Sequence, residues 1–475
     1  MKNTSWVWLV VLLAICLPPC FANAQFIFTT NNGAITITGY TGSDDSVTIP
    51  SATNGYPVTC IGDNAFNCCL FSGCFSLVSI TIPTSIRSIG DDAFYNCGNL
   101  TSIAIPDSVT NLGGGVFWDC HSLKSVTLSR NLASIGTSAF SGCSGMVTVT
   151  IPDSVTNIGD TAFAGCSSLV SLTISTNITS IGNDVFSDCS GLTNITIPDS
   201  VTSLGLGVFQ YCLGLKSFPL GRNLASIGPG SFYGCSGLVT VTMPNSVTSI
   251  GDSAFYGCRS LVSLTISTNI TSIGNDVFSD CSGLTNVTIP DSVTSLGLGV
   301  FEHCSGLKSV TLGRNLASIG IYAFYGCSGM VTVTMPNSVA NIGSGAFSGC
   351  AGLVNVFFQG NAPDVSPDTF SGDNQAIAYY LPGTTGWYSP FGGIPAMLWN
   401  PQVQSNGSSI GVLNNRFGFN ITGTAGIPIV VESSTNPASG PWTVLQSCTL
   451  TNGSFYFCDS HWTNYSGRYY RFRSP

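Results

Sequence analysis

The chain has 475 residues, of which only 7% are charged, and it carries a net charge of −9 with thirteen Lys and Arg scattered over its length. That balance excludes the basic patch or stripe on which nucleic-acid binding depends. The hydrophobic residues, 44% of the total, fall in short runs, and after residue 24 none approaches the ~20 residues of a membrane helix.

In chain order, residues 1–24 place Lys2 before the apolar run Trp6–Leu17 and end on Ala22-Asn23-Ala24. This is the pattern of a secretory signal, with cleavage expected before Gln25. Leu17-Pro18-Pro19-Cys20 resembles a lipoprotein site only superficially, because the two prolines fit it poorly. Residues 25–60 alternate as short strands, Gln25–Thr30, Ala34–Gly39 and Ser46–Ile49, with Asn31-Asn32-Gly33 as a hairpin signal. They are expected to cap the open N-terminal edge of a repeat array that begins near residue 61. Between Ile61 and Leu77 an irregular stretch brings Cys68, Cys69 and Cys74 near Cys60. Adjacent cysteines without recurring Cys-x-x-Cys pairs point to a disulfide or buried thiols rather than to a metal.

From there to residue 373 one unit of 23 residues recurs without slipping. Its anchor is a Phe followed three residues later by a Cys, from Phe94/Cys97 through Phe347/Cys350, with Phe71/Cys74 and Phe370 extending the register. At the last position Asp373 stands where Cys is expected. In the copy beginning at Leu100, the positions that stay apolar are Leu100, Ile103, Ile105, Val109, Leu112, Phe117 and Cys120. Leu-x-x-Ile-x-Ile alternates and is β-branched, so it predicts a short strand that Pro106 ends. A second short leg, Val109 to Leu112, stops at Gly113, and a tight turn through Val116-Phe117 leads to the next copy. One coil exposes its apolar face, so stability must come from stacking neighbours.

The pattern Leu-x-x-Ile-x-Ile-Pro-x-Ser-Val-x-x-Ile-Gly-x-x-Ala-Phe-x-x-Cys-x-x-Leu resembles the BspA-like class of bacterial leucine-rich repeats, over roughly residues 61–373. The resemblance implies a curved right-handed solenoid of about 13–14 repeats on a secreted or cell-surface bacterial protein, with relatives that act as adhesins or matrix-protein binders. The partner it implies is an extracellular protein, and the regular polar strand face adds a repetitive polysaccharide as an alternative.

The cysteines from Cys97 to Cys350 fall one per coil, in parallel rather than facing one another, and are expected to be free, buried thiols. On the strands, the residues flanking the central apolar one point outward. They form a row, Thr127, Thr150, Thr173, Thr196, Thr242, Thr265, Thr288, Thr311 and Thr334, which Pro219 interrupts. This polar, nearly uncharged sheet is the candidate ligand-binding face, although strand propensity and cross-strand Thr pairing account for such rows too. A longer period of 92 residues, or four coils, places Lys124, Lys216 and Lys308 alike, and also Arg130, Arg222 and Arg314. Ser168–Asn194 and Ser260–Asn286 are identical, so the array grew by duplication.

Candidates for chemistry are sparse. His121, His303 and His461 pair with no obvious nucleophile. Asp91, Asp92, Asp153, Asp160, Asp184 and Asp188 lack the dense spacing of a calcium loop. Neither enzyme activity nor a cofactor is expected. Beyond Ala351 the pattern decays, and Phe357 stands exposed where Thr usually sits. Residues 374–400, with Tyr379, Tyr380, Trp387, Phe391 and Trp399 among glycines and prolines, read as a C-terminal cap. Residues 401–475 alternate as five short strands and read as a small β-sandwich, a possible means of envelope attachment. There Thr451–Ser454 predicts a hairpin whose three-residue form would oppose Cys448 to Cys458 and permit a disulfide.

Overall fold

A computed structural model describes residues 25–70, 76–217, 219–405 and 410–473. The predicted leader, residues 1–24, lies outside the described residues, as do Phe71 and Cys74. The chain winds into a β-solenoid of about 15 turns with 23 residues per turn, and a small domain of antiparallel sheets completes it. In the coil from Leu100, Ser102–Ala104 forms the strand of the first leg and Asn111–Leu112 that of the second. Each leg pairs in parallel with its counterpart 23 residues on, as in Ser102↔Ser125 and Asn111↔Ser134. Pro106 cannot donate to the ladder and closes the first leg.

The turn leg is hydrogen-bonded from coil to coil as well. Phe94 N–H donates to Val116 O and Phe117 N–H to Ala139 O, both at 2.8 Å. Two residues per turn take the left-handed conformation to make this possible, Gly115 (φ 57) and Asp119 (φ 60) around Phe117. Gly, Asp and Asn are the residues that tolerate it at least cost.

Inside, the register phenylalanines form one continuous stack. Phe94, Phe117 and Phe140 succeed one another at 5.3 Å with rings within 14° of parallel, and none is exposed to solvent. The stack begins with Phe66, not Phe71: Phe66 lies 5.0 Å from Phe94, and Tyr40 of the N-terminal strands covers it at 5.4 Å. The extra residues of the irregular coil therefore come after the anchor.

Each register thiol donates to the carbonyl of the preceding coil's Phe, as Cys120 does to Phe94 at 3.2 Å and Cys350 to Phe324 at 3.1 Å. All twelve from Cys97 to Cys350 are buried and free. Burial disfavours the thiolate, pushing Cys235 up to about 12. Thiol titration of the denatured, unreduced protein is expected to find these twelve free, and the native protein is expected to resist alkylation at them. Near-zero thiols on denaturation would contradict the assignment.

At the C-terminal end, Asn355–Phe358, Ile377–Tyr380 and Ala396–Leu398 continue the first-leg sheet. Phe391 and Trp387 pack on Phe358 at 5.5 and 5.0 Å and close the end of the core. The last domain has two antiparallel sheets. One contains Arg416–Thr422 and Ser454–Asp459, the other Pro428–Ser434, Thr443–Thr449 and Tyr469–Arg473.

Two expectations are corrected by this arrangement. Cys448 pairs in register with Ile429 and Cys458 with Gly418, so they lie in different sheets and both are free. The turn at Thr451–Gly453 crosses between sheets instead of closing a hairpin. Phe357 is not exposed, because it and Tyr379 share a core with Phe419, Ile421 and Phe457 of the last domain. The aromatic residues at the end of the Thr row are where that domain docks.

Candidate binding surfaces of the solenoid

On the first-leg sheet the central residue of each strand points inward, as with Val126, and its neighbours Ser125 and Thr127 point out. Thr127, Thr150, Thr173, Thr196, Thr242, Thr265, Thr288 and Thr311 are all exposed. Thr334 is only half-buried outward, since it neighbours Phe357 in register beneath the docked domain. Thr150 faces Thr173, Thr242 faces Thr265 and Thr288 faces Thr311 across adjacent strands. The row is not one lattice. Among the described residues of the coil holding Pro219, no first-leg strand stands between Asn194–Ile195 and Thr240–Thr242. The sheet is also interrupted between Ser263–Thr265 and Asn286–Thr288.

Charges flank this face in two ways. Arg130, Arg222 and Arg314 each pair with the Asp one coil earlier, Asp107, Asp199 and Asp291, at 2.6 to 2.7 Å. The hydrogen bonds from Arg130 hold the Asp107 carboxyl below the usual carboxylate range. These exposed pairs contribute little stability. Lys124, Lys216 and Lys308 are exposed and form no ion pair among the described residues.

The acidic residues serve the backbone instead. Asp91 accepts from Gly114 N–H at 2.7 Å and Asp160 from Asn183 N–H at 2.8 Å, so each caps the next coil. Among the described residues no group of three His, Cys, Asp or Glu is placed to hold a metal. His121 contacts the Gly142 carbonyl at 3.0 Å and His303 lies beside Glu302 at 3.7 Å. Neither approaches a nucleophile poised for catalysis among the described residues.

A second surface, along the turn flank, escapes a reading confined to core and strand positions. Tyr95 meets Trp118 edge-on at 5.3 Å, Tyr211 meets Tyr233 edge-on at 5.6 Å, and Tyr233 stacks on Tyr256 at 4.8 Å. These residues sit one or two places after the register Phe, where other coils often carry Ser, Gly or Ala. The signal that finds them is a position-by-position comparison of copies 92 residues apart.

No curated protein matches this chain. A leucine-rich repeat protein from Bacteroides ovatus has a similar structure, with 30% identity, a TM-score of 0.70, and coverage of 80% of this chain and 100% of its own. A leucine rich cell surface protein from Faecalibacterium prausnitzii is 26% identical over 80% of this chain and 98% of its own, with a TM-score of 0.45. The BspA type leucine rich repeat region matches residues 43–170, 156–285 and 248–377, more than half of the sequence. With the Phe stack, the thiol row and the two parallel legs all recurring in that span, the chain belongs to the BspA-type leucine-rich repeat family.

Proposed function

We propose that this is an exported bacterial protein that binds an extracellular protein or polysaccharide through the outward face of its repeats. The observation that supports it is the row of exposed, uncharged Thr side chains held at strand spacing on a rigid sheet. A fixed polar array recognises a partner at small entropic cost, because its hydroxyls are already in place. Lys124, Lys216 and Lys308 add unpaired cations at every fourth coil. A second reading, a structural envelope or matrix component without a specific ligand, draws on the identity of Ser168–Asn194 with Ser260–Asn286. A scaffold tolerates such uniformity readily. On either reading, residues 401–475 are a candidate for envelope attachment.

The test is binding of the purified protein to an array of matrix proteins and polysaccharides, beside a variant with Thr173, Thr196, Thr265 and Thr288 changed to Lys. Saturable binding that falls about tenfold or more in a folded variant is the expected result. Equal binding by both would remove the strand face from the recognition surface. Absence of any binding by the folded protein would favour the structural reading.

A further inference from the structure

Three copies of the four-coil block can be compared directly over residues 101–170 and their counterparts 92 and 184 residues on. The copies agree closely on the strand face. They carry three different residues at only eight positions, those of Trp118, Asp119 and His121 in one coil, Thr137 and Ser138 in the next, and Thr161, Ala164 and Ser167 in the third. All eight lie between the third residue before the register Phe and the residue after the register Cys. Three-way divergence after duplication has been confined to the turn flank, while the core positions interleaved there change only where Ser231 replaces Ala139 and Ala323.

The same flank carries a notch. Two places after the register Phe, four successive coils read Tyr211, Gly234, Gly257 and Asp280. The Tyr211 ring lies over Gly234, filling the place of a side chain there, and Gly257 leaves the floor open between that ring and the Asp280 carboxylate. Alongside, Tyr233 and Tyr256 form one wall, and Leu213 and Arg259 stand on the other side. The depression measures about 400 Å³. One end is apolar, where Tyr211 is 40% and Leu213 48% exposed. The other is charged: the Asp280 carboxylate engages the Tyr256 hydroxyl and, with burial, pushes that phenol up to about 12. Arg259 is exposed and forms no ion pair among the described residues, unlike Arg130, Arg222 and Arg314.

We propose that this notch is a protein-docking site that takes an extended segment with an apolar side chain at the Tyr211/Leu213 end and an acidic side chain on Arg259. Tyr and Arg are the residues enriched at the energetic centres of protein interfaces. A sugar ring needs an open aromatic face. Tyr233 has one face against Tyr256, at 7° from parallel, and the edge of Tyr211 against it at 84°. Leu213 and Arg259 are two coils apart, ~10 Å at sheet spacing, and on an extended segment residues two apart share a face ~7 Å from each other, with the long Arg259 side chain reaching the remainder. Arg259, which forms no ion pair among the described residues, offers its guanidinium to an acid, while the Asp280 carboxylate in the same notch is taken up by the Tyr256 hydroxyl. The copies around Asp119 and His303 keep the glycines, Gly142/Gly165 and Gly326/Gly349, and change the walls. They are the same device with other preferences.

The experiment uses the whole protein against an array of synthetic peptides containing Leu-x-Glu, their Leu-x-Lys counterparts and scrambled controls, with a glycan array in parallel. Tyr211→Asp and Arg259→Ser install residues that the first block already carries at these places, Asp119 and Ser167, so the fold is retained. The expected result is preference for Leu-x-Glu peptides, lost about tenfold in either variant and unchanged when Thr173, Thr196, Thr265 and Thr288 are replaced by Lys. That last arm separates this site from the strand face. Binding indifferent to both turn-flank variants, binding to glycans alone, or no peptide above its scrambled control would overturn the proposal.

Discussion

Replacing Phe209 by alanine is expected to cost about 3–5 kcal/mol and to split the unfolding of the solenoid into two transitions. Phe209 is fully buried between Phe186 at 5.5 Å and Phe232 at 5.3 Å. In a solenoid each coil is coupled only to its neighbours, so a cavity weakens one interface rather than the whole. This interface has little in reserve. Among the described residues of the Pro219 coil no first-leg strand is formed, and a proline cannot donate to the ladder, so coupling there leans on the Phe stack, the second leg and the turn ladder. Urea unfolding monitored by circular dichroism, with hydrogen exchange to locate each phase, makes the check. Phe370→Ala is the control, because Phe370 has a register partner only on one side, Phe347 at 5.3 Å, and ends under the cap. It is expected to shift the midpoint without splitting the transition. A single cooperative loss in Phe209→Ala would show that coupling extends well beyond nearest neighbours.

The core of this fold was legible in the sequence because a fixed period repeats the same decision many times. Strand, second leg and buried thiol are set by which positions stay apolar. Legibility failed where the decision is made once. Phe66 and Phe71 each have a Cys three residues later, and only the stack on Phe94 decides that Phe66 is the anchor. An aromatic residue in a polar row reads as an exposed platform until a distant segment covers it, as Phe419 and its neighbours cover Phe357. Thr451–Ser454 has hairpin chemistry, but strand pairing beyond the turn sends Cys448 and Cys458 to separate sheets. The outward direction of the Thr row was legible, save at Thr334 beneath the last domain. The turn-flank notch was not, because it depends on which side chains share an edge across several coils.

Asp373 leads to the second large effect. It occupies the register place of a Cys and is 2% exposed, and neither carboxylate oxygen has a well-formed hydrogen bond among the described residues. Burial pushes its carboxyl from 3.8 up to about 7, against a weaker opposing contribution from the Cys350 backbone. The folded state therefore holds a proton that the unfolded state releases near pH 4. Its stabilising contribution is complete below that point, declines as pH rises, and is gone above about 7. Glu432 of the adjoining domain, whose burial is outweighed by hydrogen bonds from Arg473 and Arg471, is held below its usual range and acts in the opposite sense, losing its contribution in acid. Stability of the C-terminal end is thus expected to peak near pH 5 and to fall toward pH 8. Asp373→Cys restores a thiol that can donate to Phe347 O, as the other twelve do to the Phe of the coil before them. At pH 8 it is expected to stabilise by about 1–3 kcal/mol, the cost of a buried polar group left unsatisfied. At pH 5 the gain should shrink, because the protonated carboxyl can make the same donation. Urea midpoints of both proteins at the two pH values decide the matter. Equal midpoints for the variant and the parent at pH 8 would mean that water reaches the carboxylate, and that the end of the thiol column is open beneath the cap.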